Sequence, residues 1–209
     1  MSSVVSAIPS APEAAVTLDQ AREEFACNRF LAMPLAGTVA WLVVAAGGVM
    51  ALTDGQRVLL TYVATGCIAY LGMALSYLTG ERFMDKGNRD NPFNKLFLAT
   101  VSMSMLVFAI AIPFAQVDPT SLPLSLAVLT GLMWLPLSWI IRHWVGVAHA
   151  IARSVLALAA WYAFPEQRFV VVPLVVVALY AVTIMVLELR WRRLPRSQRD
   201  GGGALAATT

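Results

Sequence analysis

The chain has 209 residues, of which 59% are hydrophobic and 13% charged, with a formal net charge of +3; an ordinary soluble domain is about a quarter charged. So few charged side chains cannot cover six long apolar runs, which excludes a soluble fold and makes lipid the solvent for most of the molecule. The basic residues flank the apolar runs, as membrane insertion requires, so the basicity reports topology and no nucleic-acid partner is expected.

In chain order, residues 1–16 are rich in Ser, Ala and Pro, lack an apolar stripe and are expected to be disordered. No secretory signal is expected there, since no basic start is followed by a short apolar core. Thr17 opens T-L-D-Q, which has the form of a capping box, and Leu18, Ala21 and Phe25 recur on one helical face. Residues 17–30 therefore read as a cytoplasmic amphipathic helix on the membrane surface, or equally as a polar extension of the first span.

Six apolar stretches follow, at 31–52, 58–80, 96–116, 121–141, 144–164 and 169–189. A helix of this length, at ~1.5 Å per residue, covers the ~30 Å hydrocarbon layer. The fold class is thus all-α, a polytopic membrane protein with a bundle of six transmembrane helices preceded by a short amphipathic helix. The connections D-G-Q-R, V-D-P-T and E-Q-R are short, which makes consecutive helices neighbours. The longest polar connection, around Asp85, Asn88 and Asp90, lacks calcium-loop spacing and reads as solvated. Pro136 is expected to kink the fourth helix and to deprive the Leu132 carbonyl of its usual donor.

Twelve of the fifteen basic residues fall on the side of the termini and only Arg57 and Arg168 on the other, which puts both termini in the cytoplasm. Residues 190–209 form a basic and then flexible tail; Arg190, Arg192 and Arg193 anchor topology and offer a surface to anionic lipid. Small residues at four-residue spacing, Ala32, Ala36 and Ala40 on one helix and Gly146, Ala150 and Ser154 on another, suit close packing within a bundle or in a homo-oligomer.

The remaining basic residue, Arg153, falls at the centre of the fifth stretch, where an arginine costs ~2.5–3.5 kcal/mol even on lenient insertion scales. It must face the bundle or a wet cavity. His149, one turn earlier, shares its face, and no acidic residue falls at the same depth. Depth counting places Tyr70, Tyr180 and Trp41 level with Arg153, and Ser138 level with His149. The expected ligand-binding residues are therefore Arg153, His149, Tyr180, Tyr70 and Ser138. The leading reading is an internal polar pocket that binds, and in its stronger form transports, a small anionic solute or lipid headgroup. The alternative is a noncatalytic membrane scaffold or complex subunit, with Arg153 a structural donor to kink carbonyls and tyrosine hydroxyls.

Catalysis is the least supported class. G-x-S-x-G, H-E-x-x-H, the P-loop and G-x-G-x-x-G are all absent, and two histidines and two separated cysteines make no metal cluster. No catalytic residue, metal ligand or cofactor is expected, and both cysteines are expected to be free thiols. The segments R-E-E-F at 22–25, P-L-A-G-T-V-A-W-L at 34–42, L-P-L-S-W at 135–139 and H-A-I-A-R at 149–153 resemble a family of bacterial six-helix membrane proteins known only as a domain of unknown function. The resemblance covers residues 18 to about 190 and implies a bacterial inner-membrane setting, with no activity to carry over. Thirteen arginines against two lysines fit a GC-rich genome.

Overall fold

The computed structural model describes residues 17–81 and 91–195, so the expected disorder of 1–16, most of the long polar connection and the far end of the tail lie outside the described residues. Among the described residues the secondary structure is helical throughout, with no strand. Helix α1 spans Leu18–Ala26, α2 Ala32–Val49, α3 Asp54–Gly66 and α4 Ile68–Thr79. Helices α5 (Pro92–Leu106), α6 (Phe108–Val117), α7 (Ser121–Gly131) and α8 (Trp134–Ile140) follow. The chain continues through α9 (Val145–Ala163), a 3₁₀ turn at Pro165–Gln167 and α10 (Arg168–Arg193).

Five stretches are long and apolar enough to cross a membrane: α2, α5 with α6, α7 with α8, α9, and α10 with its leading turn. Helices α3 and α4 reach the same measure only together, and they are bent by 41° at Cys67. The chain is therefore an all-helical protein of membrane type, with five such helices or six if the bent pair is one span.

The starts of α1, α3 and α5 follow side-chain caps that hydropathy alone does not register. Thr17 and Gln20 form the reciprocal box their spacing predicts, Gln20 N–H donating to Thr17 Oγ1 at 3.3 Å and Thr17 N–H to Gln20 Oε1 at 2.8 Å. Thr53 and Gln56 repeat the same box, so α3 begins at Asp54 and the D-G-Q-R segment is its first turn rather than a connection. Asn91 caps α5 by accepting from Phe93 N–H at 2.9 Å, with Pro92 in the first turn, so this helix also starts ahead of its apolar run. Helix α10 continues to Arg193, with Arg192 paired to Glu188 at 2.7 Å and three arginines in its last turn, where the helix dipole favours cations.

Three of the spans are interrupted near their midpoints, at Cys67, at Val107 and at Leu132–Met133. Each interruption is preceded by a hydroxyl that bonds a carbonyl of its own helix: Thr65 to Thr61 at 2.6 Å, Ser104 to Val101 at 2.6 Å and Thr130 to Leu126 at 2.6 Å. Back-bonding of this kind competes with the helical ladder and bends it. At the third site Pro136 removes the amide that Leu132 would normally receive. The Leu132 carbonyl instead accepts from Leu135 N–H at 3.1 Å, so the donor is local and no neighbouring helix is needed.

Packing centres on α2 and α10, which lie against each other; α2 also packs on α3 and α4, α10 on α9 and α7, and α9 is flanked by α10, α7 and α8. Close approach on α9 is internal to the chain, since a Cβ on Gly146 would sit 2.8 Å from Ser138 Cβ and against the Trp134 carbonyl. Helix α1 buries Ala21 and Phe25 while Leu18 stays exposed. It is fixed by Arg22 stacked 4.4 Å from the Trp139 ring and by Arg190 donating to the Ala26 carbonyl at 2.6 Å. Just beyond it, Arg29 forks onto Glu188 at 2.7 and 2.9 Å.

Candidate functional site

Arg153 is fully buried, at 0% exposure. Its Nη1 donates to Tyr180 Oη at 2.8 Å and its Nη2 to Thr130 Oγ1 at 2.8 Å. The guanidinium lies 5.5 Å from the Trp41 ring centre and 5.2 Å from that of Tyr180, so ring faces supply part of its solvation. Gly131 leaves room for its stem, since a Cβ there would stand 3.1 Å from Arg153 Cδ. Among the described residues no carboxylate pairs with it, and Arg153 Nε has no hydrogen-bond partner. The positive charge is therefore held by two hydroxyls and two rings, all neutral.

The hydroxyl protons can be followed one by one. Thr130 donates to the Leu126 carbonyl, so toward Arg153 it acts only as acceptor. Thr183 likewise donates to the Leu179 carbonyl at 2.8 Å, which leaves its oxygen to accept from His149 Nδ1 at 2.7 Å. That assigns the His149 proton to Nδ1 and leaves Nε2 an acceptor without a partner among the described residues. Tyr180 accepts from Arg153, and its own O–H proton goes to no acceptor among the described residues. The His149 ring lies 4.6 Å from Trp134 and 5.1 Å from Tyr180, centre to centre, so the two residues of the H-x-x-x-R stripe share one aromatic wall.

Of the residues expected in the pocket, Arg153, His149 and Tyr180 come together. Tyr70 does not: it is 71% exposed on the outer face of α4, while Gly72 and Ser76 turn inward. Counting residues fixes height along a helix but not the side a residue faces. Ser138 sits on α8 as expected, yet it serves the backbone, donating to the His143 carbonyl and accepting from Val147 N–H at 3.2 Å. Thr130 and Thr183 are the partners sequence reasoning missed. A signal existed for the second, because Tyr180 and Thr183, three residues apart on α10, share a helix face as His149 and Arg153, four apart, do on α9.

A cavity of about 40 Å³ opens beside this cluster, room for roughly three waters or one small solute. Tyr180, Thr130 and Trp134 form one wall. Residues flanking all three span interruptions also line it, Thr65 and Ile68, Met105 and Phe108, Thr130 and Met133, together with Met33 of α2. Broken helices at membrane depth are tolerated where they line a cavity, which is their arrangement here. Among the described residues no group of three metal-ligating side chains gathers, and Cys27 and Cys67 are free.

A family model described as a family of unknown function (DUF7010) matches residues 18–190. The chain belongs to that family. No curated protein and no solved structure matches it.

Proposed function

We propose that this DUF7010 member is a six-span protein of the bacterial inner membrane, with both termini cytoplasmic, that binds a small anionic solute inside its bundle and carries it across. The six-span count treats bent α3–α4 as one crossing, and the excess of basic residues beside the termini supports the orientation. Helix α1 would then lie at the cytoplasmic surface with Ala21 and Phe25 turned to the bundle.

The observation that carries the reading is Tyr180, which accepts from buried Arg153 on one side and lines the cavity on the other. A phenol whose oxygen accepts from a guanidinium is a stronger donor, and its proton has no acceptor among the described residues. An anion in the cavity would take that proton as a hydrogen bond, with the uncompensated Arg153 charge directly behind. The cavity volume favours a free anion over a lipid headgroup.

The test is thermal unfolding of the purified full chain in detergent, with chloride, formate, acetate and phosphate exchanged for gluconate. One or more small anions should raise the midpoint, glycerophosphate should do so less, and Tyr180→Phe should lose the shift while keeping the ring's packing. Equal shifts in wild type and Tyr180→Phe would refute the site. Anion flux into vesicles, lost in the same variant, tests carriage. The scaffold reading is favoured by one observation, that both terminal nitrogens of Arg153 already have hydroxyl partners on α7 and α10; it expects Arg153→Met to lower the midpoint regardless of anion.

A further inference from the structure

Glu81, directly after α4, is 2% exposed, a burial that carboxylates rarely reach unless paired. Its Oε1 accepts from Leu31 N–H at 2.5 Å and Ala32 N–H at 3.2 Å, capping the start of α2, a helix with no side-chain cap of its own. Its Oε2 is buried with no hydrogen-bond partner among the described residues. That oxygen belongs to a residue lining a second, smaller cavity of about 20 Å³, whose other walls are apolar: Phe30, Phe97, Trp134, Leu137, Met33 and Met133. The volume holds one or two waters. A single carboxylate among apolar walls lacks the six or more oxygens a hard cation needs, so the occupant it suits is a proton delivered by water.

The two cavities share Met33, Met133 and Trp134. Between them stand the Met33 and Met133 side chains, unbranched and adaptable, and the Trp134 indole. On one side stand Tyr180 and the Arg153 charge, and on the other stands Glu81.

We propose that Glu81 is a proton-binding site coupled to the anion site. A proton taken from water at the cytoplasmic end settles on Oε2, and its arrival removes a negative charge from the anion's way. The coupling rests on the anion-binding reading, whereas the proton site stands on Glu81's own surroundings. By linkage each ligand must favour the other equally. Burial pushes the Glu81 carboxyl up from its ordinary 4.5, and this outweighs the opposing pull of the Leu31 and Ala32 amides, Thr79 and Arg29. Arg29 is the charged group acting on it among the described residues, and it is itself bonded to Glu188; the faces that α2, α5 and α8 turn to the cavity carry no ionisable side chain.

Infrared difference spectra of the full chain, titrated between acid and alkaline pH, test the proton site. The carbonyl band of a protonated carboxylic acid should titrate in wild type, vanish in Glu81→Gln, and return at a different pH in Glu81→Asp. Gln keeps an oxygen for the Leu31 and Ala32 amides, so its fold is retained. Wild-type spectra in which Glu81→Gln removes no band overturn the proposal. Coupling is read with chloride as probe. Wild-type affinity should fall about tenfold per pH unit once Glu81 is ionised, with one proton taken up per chloride bound. In Glu81→Gln that slope and uptake should disappear while chloride still binds. A slope unchanged in Glu81→Gln overturns the coupling. Absence of binding by chloride, formate, acetate and phosphate alike in wild type defeats the anion reading instead, and the infrared titration still decides Glu81.

Discussion

The His149–Thr183 pair shows how a single proton assignment propagates. Because Thr183 has already given its proton to Leu179, it can only accept, and His149 must present Nδ1–H to it. Thr183→Val keeps the shape and removes the acceptor. A buried imidazole N–H is then unpaired, which in water-soluble cores costs ~1–3 kcal/mol, while interhelical hydrogen bonds in membranes average ~0.6 kcal/mol with a maximum near ~1.7. The expected loss is therefore about 1 kcal/mol, measured by unfolding in mixed detergent. Gly37→Ala should cost more. Its Cβ would stand 2.6 Å from the Tyr180 ring, and a rigid ring must move bodily, taking its hydroxyl off Arg153. Overpacking of this kind costs ~1–3 kcal/mol, and the anion-induced shift should fall with it. Gly131→Ala, with 3.1 Å to a flexible arginine stem, should be milder in both respects. Arg153, His149 and Tyr180 were legible in the sequence because a polar group at membrane depth stands out against an apolar run. Thr130 and Thr183 were not, since a threonine in a membrane helix more often bonds its own backbone, as both of these also do.

Elements followed two different codes. Apolar length located the crossings, because lipid leaves a backbone no partner but itself. Where α1, α3 and α5 begin is set by short polar caps, so a hydropathy reading started α3 four residues late and α5 four residues late. Thr53→Ala, which removes the exposed cap of α3, should lower stability by ~0.5–2 kcal/mol without altering any ligand response. The midpoint interruptions were legible only at Pro136, where the imino ring announces a missing donor. Those at Cys67 and Val107 come from Thr65 and Ser104, whose hydroxyls bond their own helices, and neither residue type commits to that on sequence alone. Ser104→Ala should extend the regular ladder of α5 into α6, seen as slower amide exchange around residue 107.

For the whole molecule, one buried and one half-buried ionisable group near one end of the bundle oppose each other across the pH range. Burial raises the Glu81 carboxyl, so the folded state holds that proton more tightly than the unfolded chain, and the stability it contributes is present below 4.5 and lost as pH rises through its folded value. His143 behaves in the reverse sense. Burial, with Arg190 adding to it, pushes the imidazole below its ordinary 6.5, and neutral Nδ1 accepts from Val145 N–H at 3.2 Å at the head of α9. Its contribution is lost as pH falls through 6.5 toward the folded value. Unfolding midpoints measured against pH should therefore lose their alkaline-side decline in Glu81→Gln and their acid-side decline in His143→Asn.

The three mid-span interruptions meet at one level around a small void, and this has a mechanical consequence. Along most of its height the bundle is stiffened by continuous helical rods, but at that equator three of its crossings pass through a joint. There the ladder of hydrogen bonds is thinnest, with α2, α9 and α10 as the unbroken spines that hold the two halves together. Bending at that joint is the movement that carriage through the bundle, as proposed above, would require.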